Sequence, residues 1–181
     1  MIRLLPGLIF LGIATLLLVA LLSMDGGKPT AQSPLVGTRL PALAVLAADS
    51  QPAPIDADTL NAPAVVLNVF ASWCTPCALE MEELVALKRH YPNARFVGIV
   101  WNDAPATITP WLKKYGNPFD QVHYDPKGRA AIALGLRGIP ETFILDSTGV
   151  IRFHRQGVID STMRREQMAP LLETLTQPES K

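Results

Sequence analysis

Hydrophobic positions fall into one long run and several short ones. The long run, Leu4 to Leu22, carries no charged residue. At about 1.5 Å per residue, a helix over it spans roughly 28 Å, close to a hydrocarbon core of about 30 Å. SMDGGKPTAQSP (23–34) follows, and its Gly, Pro and Ser content predicts a flexible tether. Two short runs come next, AVVLNVF (64–70) and RFVGIVW (95–101). Continuous, valine-rich runs of that kind suit strands covered on both faces. Between them, Cys77 to His90 has helical spacing, with Met81, Leu84, Val85 and Lys88 on one face. Strand, helix, strand predicts a parallel pairing.

The pattern then changes. APATITPWLKKYGNP (104–118) predicts a short helix ended by Gly116 and Pro118, and GRAAIALGL (128–136) predicts another. TFILDSTGVIRFHR (142–155) predicts two strands around Asp146-Ser147-Thr148-Gly149. A last helix from Ser161 to Thr176 contains Pro170, which predicts a kink or a restart. TRLPALAVLAADSQPAPI (38–55) predicts edge strands ahead of the core. The order implies an α/β fold, a mixed central sheet with helices on both faces, extra N-terminal strands and a central inserted segment. The expected divisions are an anchor over 1–22, a linker over 23–34, a folded domain over 35–177 and a tail over 178–181.

Composition adjusts this picture in three ways. The chain of 181 residues is 49% hydrophobic and only 18% charged, and the N-terminal run explains part of that low charge. Net charge is zero with no basic block, which argues against nucleic acid as a partner. The apolar run exceeds the 7–15 residues or so of a cleaved signal peptide, so an uncleaved signal anchor is favoured. Ala31-Gln32-Ser33 offers a cleavage site only well beyond the run. Arg3 and the N-terminal amine favour a cytoplasmic N-terminus, which places the rest of the chain outside the inner membrane, in an oxidising space.

The chain has two cysteines, Cys74 and Cys77, in ASWCTPC. A staple over so small a loop restrains the unfolded chain weakly. A zinc-type site needs further ligands, and His90, His123 and His154 are scattered and expected at the surface. Disulfide exchange suits the placement best. Cys74 follows a buried strand and begins a helix, where free N–H groups and the helix dipole favour a thiolate. Cys77 lies one turn later and can attack a mixed disulfide, which makes Cys74 the attacking thiol and Cys77 the resolving thiol. Pro76 fits a first helical turn, where the missing N–H costs little.

WCTPC after a strand, with Ile139-Pro140 before a later strand, resembles the thioredoxin fold. The resemblance implies that Pro140 is cis and faces the disulfide. VVLNVFASWCTPCALEMEEL, WLKKYGNPF and GIPETFILDSTGVIRF together resemble the DsbE/CcmG family of membrane-anchored thiol–disulfide proteins of cytochrome c maturation. That family implies a reductant of apocytochrome c or haem-ligation partners. It is recharged by a membrane reductase of the DsbD or CcdA type, with no cofactor beyond the cysteine pair and no metal.

Thioredoxins carry a buried Asp where this chain has Asn68, which cannot take a proton at ordinary pH. Glu80 is the candidate replacement, since it lies about 60° from Cys77 around the helix. A half-buried carboxylate there suits a general base; the plainer reading is that it only favours the helix N-terminus. Glu141, next to Pro140, is expected to face the cysteines too, or to be a surface residue at a strand start. Trp73, Thr75, Pro76, Gly138 and Ile139 are expected client contacts, with Arg137 beside them; Trp73 equally suits core packing. Trp101, Trp111 and Phe153 are expected in the core. GNPF (116–119) is expected to be a turn that buries Phe119, and Asn102 and Asp103 lie at the functional end of a strand. Three other readings stay open: a TlpA/ResA-like reductant with other clients, a chaperone-like binding module, and a metal chaperone.

Overall fold

The computed structural model describes residues 12–16, 33–55 and 60–177. Contacts divide the chain into two units, Met1–Ala31 and Gln32–Lys181. Of the first, only 12–16 are described, and they are helical. The expected anchor, most of the linker and the tail therefore lie outside the described residues. Among those described, no helix is long and apolar enough to cross a membrane.

In chain order the second unit runs β1 (Ala64–Phe70), α1 (Thr75–His90), β2 (Arg95–Trp101), α2 (Pro105–Tyr115), β3 (Gln121–Asp125) and α3 (Arg129–Leu134). It continues with β4 (Glu141–Asp146), β5 (Ile151–Gln156), α4 (Ser161–Met163), a π-helical turn (Arg164–Met168) and α5 (Ala169–Thr176). The sheet order is β3-β2-β1-β4-β5. β1, β2 and β3 run parallel, while β4 and β5 pair antiparallel. β1 is central and buried at every position, which its unbroken apolar run requires.

Alternate side chains of β1 feed two cores. Val66 and Phe70 meet Met81, Leu84 and Leu87 of α1, Ile108 and Trp111 of α2, and Leu172 of α5. Val65, Leu67 and Val69 meet Ala130 and Leu134 of α3, with Leu40, Leu43, Val45 and Ile55 from the N-terminal segment. Helices thus cover both faces. Gly116, at φ 95°, ends α2, and a Cβ there would stand 2.9 Å from Val85 Cγ2 of α1. Glycine is needed both for the turn and for the close packing of the two helices. GNPF is the expected turn: Asn117 Oδ1 accepts from Phe119 N at 3.0 Å, and the Phe119 ring stacks on Phe70.

Several expectations need correction. Residues 38–55 make only isolated bridges, such as Leu43 with Ile55 and Leu46 with Tyr124, instead of edge strands. Pro41, Pro52 and Pro54 remove the donors that a ladder would need. β3 was not foreseen, because QVHYD is short, polar at its start and without an apolar run. The buried face of α1 is Cys77, Glu80, Met81, Leu84 and Leu87, while Val85 and Lys88 are only partly covered. Trp101 and Phe153 are also only partly buried. Pro170 is expected to kink or restart the last helix; the backbone instead stays right-handed helical through Met163, Arg164, Met168 and Ala169, and a π-helical turn just before Pro170 accommodates it.

Candidate active site

Cys74 and Cys77 form a disulfide with an S–S distance of 2.02 Å. Cys74 is the N-cap of α1, and its Sγ accepts from Cys77 N at 3.2 Å. The sulfur thus already meets an N–H, shared with Cys74 O at 3.1 Å, at the positive end of the helix, where a thiolate is favoured. The two sulfurs differ in access. Cys74 is 5% exposed and Cys77 is fully buried, so a client disulfide can approach only Cys74.

The loop before Cys74 is held by the end of β2. Asp103 Oδ2 accepts from Ser72 N at 2.8 Å and from Ser72 Oγ at 2.6 Å. Its Oδ1 accepts from Ala104 N at 2.8 Å and from the Thr107 hydroxyl. Burial pushes the Asp103 carboxyl up, but these hydrogen bonds outweigh it and hold it below the usual range. Trp73 Nε1 donates to Asn102 O at 3.2 Å, which leaves the indole 55% exposed beside Cys74. Thr75 and Pro76 are exposed on the same rim.

The Ile139–Pro140 bond is cis. Val69 of β1 pairs with Glu141 of β4, so the antiparallel register carried one step further sets Pro140 against the end of β1, where the cysteine loop starts. Ile139 packs against both cores, including the one that contains the cysteines. Gly138 is half-buried and Arg137 is exposed.

Glu80 and Cys77 are one turn apart on α1 and both are fully buried. Glu80 Oε1 accepts from Asn68 Nδ2 at 2.7 Å, and Oε2 accepts from Ile159 N at 3.0 Å. Asn68 Nδ2 also donates to Thr142 Oγ1 at 2.9 Å. Burial pushes the Glu80 carboxyl up to about 7, although the bonds from Ile159 and Asn68 pull the other way. An acid of that strength can both take and return a thiol proton near neutral pH.

Glu141 does not join it. Side chains alternate along β4: Thr142 and Ile144 face α1, whereas Glu141, Phe143 and Leu145 face the opposite core. The expectation that Glu141 faces the cysteines is therefore corrected. Its carboxylate accepts from Arg137 N at 2.9 Å and is paired with His154 Nε2 at 2.9 Å. His154 stacks on Phe143 at 4.3 Å, and its Nδ1 lies 2.6 Å from Ser33 Oγ. Both side chains of the pair are 2% exposed, so His154 is not a surface residue. His123 is also buried; His90 is exposed. Among the described residues, no three His, Cys, Asp or Glu side chains are grouped to hold a metal ion.

A sequence profile of the AhpC/TSA family matches residues 36–154. The DsbE thiol:disulfide interchange protein of Allochromatium vinosum is 35% identical over 93% of this chain and 91% of its own. That of Escherichia coli K12 is 35% identical over 94% of this chain and 92% of its own.

The chain belongs to the DsbE family.

It is a thiol–disulfide oxidoreductase. The fold likeness extends to more distant proteins. The thioredoxin domain of a Bacteroides vulgatus thiol-disulfide oxidoreductase matches with a TM-score of 0.65 at 12% identity, over 80% of this chain and 100% of that one. A secreted Mycobacterium tuberculosis disulfide oxidoreductase homologous to E. coli DsbE matches at 0.58 and 16%, over 73% of this chain and 95% of that one. In this DsbE-family site the residues unforeseen from sequence are Thr142, Ile159 and His154. Thr142 had a signal, since it stands one place after Glu141 and so takes the opposite face. Ile159 acts through its backbone, which no side-chain pattern announces.

Proposed function

We propose that this protein is a membrane-tethered, periplasmic reductant in cytochrome c maturation. In this reading 1–22 anchors it in the inner membrane, 23–34 is the tether and 35–177 is the redox domain. The difference in access between the two sulfurs carries the mechanism. Cys74 thiolate attacks one sulfur of a client disulfide, forming a mixed disulfide and releasing a client thiolate that takes a proton from water. Cys77 then gives its proton to Glu80, and the new thiolate attacks Cys74 Sγ. The Cys74–Cys77 bond forms, the bond to the client breaks, and the second client thiolate takes a proton from water. Two electrons pass to the client, and a membrane reductase of the DsbD or CcdA type returns them. The cysteine pair is the only redox group required.

Glu80 is the base in this scheme because it is buried one turn from Cys77 and titrates near neutrality. Trp73, Thr75, Pro76, Gly138 and Ile139 border the cysteine loop and the cis-proline loop, where an extended client segment would lie. Glu141 acts at a distance, by fixing the Arg137–Pro140 turn. Apocytochrome c or a haem-ligation protein is the client that the GIPET and GNPF resemblance favours. Trapping with Cys77→Ser in cells tests this directly. Mixed disulfides on Cys74 with apocytochrome c or haem-ligation proteins support the reading, and capture of only general oxidative-folding clients contradicts it.

A further inference from the structure

The polar row around Glu80 leaves one atom over. Asn68 is fully buried, and among the described residues its Oδ1 has no hydrogen-bond partner. Its Nδ2 serves both neighbours, Glu80 Oε1 at 2.7 Å and Thr142 Oγ1 at 2.9 Å. This orientation suits a Glu80 carboxylate, which only accepts. It does not suit the carboxylic acid, whose O–H needs an acceptor. Ile159 N occupies Oε2 and is itself a donor, so it cannot supply one. A half-turn of the amide does. Oδ1 would then stand between Glu80 and Thr142 and accept from both, while Nδ2 became the end without a partner. The Thr142 hydroxyl can accept in one state and donate in the other. Each orientation leaves one amide end unpaired, so the proton on Glu80 sets the balance between them.

We propose that Asn68 is a positioning residue for Glu80: its amide presents Nδ2 to the carboxylate and, turned over, Oδ1 to the acid, with Thr142 reversing its hydrogen bond in step. This rests on the reading of Glu80 as the base for Cys77. It also gives a physical reason for asparagine at this place. A second carboxylate would repel the first, and an apolar residue would leave each Glu80 state short of a partner.

The test is a pH titration of the full-length, reduced protein in detergent, with labelled Asn side-chain amides and Glu carboxyls followed by NMR. The Asn68 Nδ2 signals should move with the same midpoint as the Glu80 carboxyl carbon. Thr142→Ser should keep that coupling, and Thr142→Val should weaken it. Asn68 signals that stay flat through the Glu80 midpoint overturn the proposal. Glu80→Gln, measured alongside for resolution of a glutathione mixed disulfide by Cys77, separates the two ideas. If Glu80→Gln resolves at the wild-type rate, the base assignment fails. If it is slow while the Asn68 signals are flat, only the amide switch fails.

Discussion

Two glutamates flank the redox centre, and both are almost completely buried. Glu80 lies on α1 one turn from Cys77 and points at β1, and its partners are an amide and a backbone N–H. Glu141 faces the opposite core and is paired with His154. Neutral donors leave Glu80 with the cost of burying a charge, so its carboxyl holds a proton up to about pH 7. The imidazole gives Glu141 a fixed, directional partner. Proximity to the motif in sequence therefore says less about an acid's role than the face of the sheet it occupies.

The largest effect bypasses both acids. Cys74→Ser should abolish disulfide exchange in an insulin-reduction assay, while Cys77→Ser should form a mixed disulfide and stall. Glu80→Gln should slow resolution by Cys77 by roughly 100-fold at neutral pH, at the lower end for a lost general base, in stopped-flow mixing with glutathione disulfide. Glu141→Gln should change that rate by less than about threefold. It should instead destabilise the fold by about 1 kcal/mol in urea, since a neutral amide replaces the carboxylate that accepts from Arg137 N and pairs with His154. Comparable rate losses in the two variants would erase the contrast.

Stability against pH separates Glu80 from a third carboxylate. The folded-state pKa of Glu80 is raised from 4.5 to about 7, so its contribution is complete below about pH 4.5 and is lost as pH rises through 7. Glu80→Gln should flatten that decline, worth at most about 3 kcal/mol. Asp146 runs the other way. Burial raises its carboxyl, but bonds from the Thr148 and Arg152 side chains and from Val150 N and Thr148 N outweigh this and bring it to about 2. Its contribution is complete above pH 3.8 and is lost as pH falls through 2. Asp146→Asn should therefore cost about 2 kcal/mol at neutral pH and little at pH 2. Urea midpoints across pH measure both.

The sequence announced the parts of the fold that depend on strong local patterns. AVVLNVF could only be a covered strand, WCTPC marked the strand-to-helix joint, and Asp146 to Gly149 marked the hairpin. It missed what pairing decides. β3 forms because β2 offers an edge, and residues 38–55 stay irregular because their prolines withhold donors. Asn68 and Glu80 were legible as a substitution and its candidate compensation, but not as a 2.7 Å contact. That contact depends on how α1 rotates over β1. The face of Glu141 was open to a simple count, since it shares parity with Phe143 and Leu145, whereas the burial of His154 depends on the partner strand.

The central claim is that Glu80 carries the proton of Cys77. The most direct measurement is the pH profile of Cys77 attack on a pre-formed Cys74–glutathione disulfide, in wild type and Glu80→Gln. The account predicts a wild-type rate that rises through an inflection near pH 7, and a Glu80→Gln rate that lacks this inflection and lies well below it at neutral pH. Superimposable profiles would contradict it.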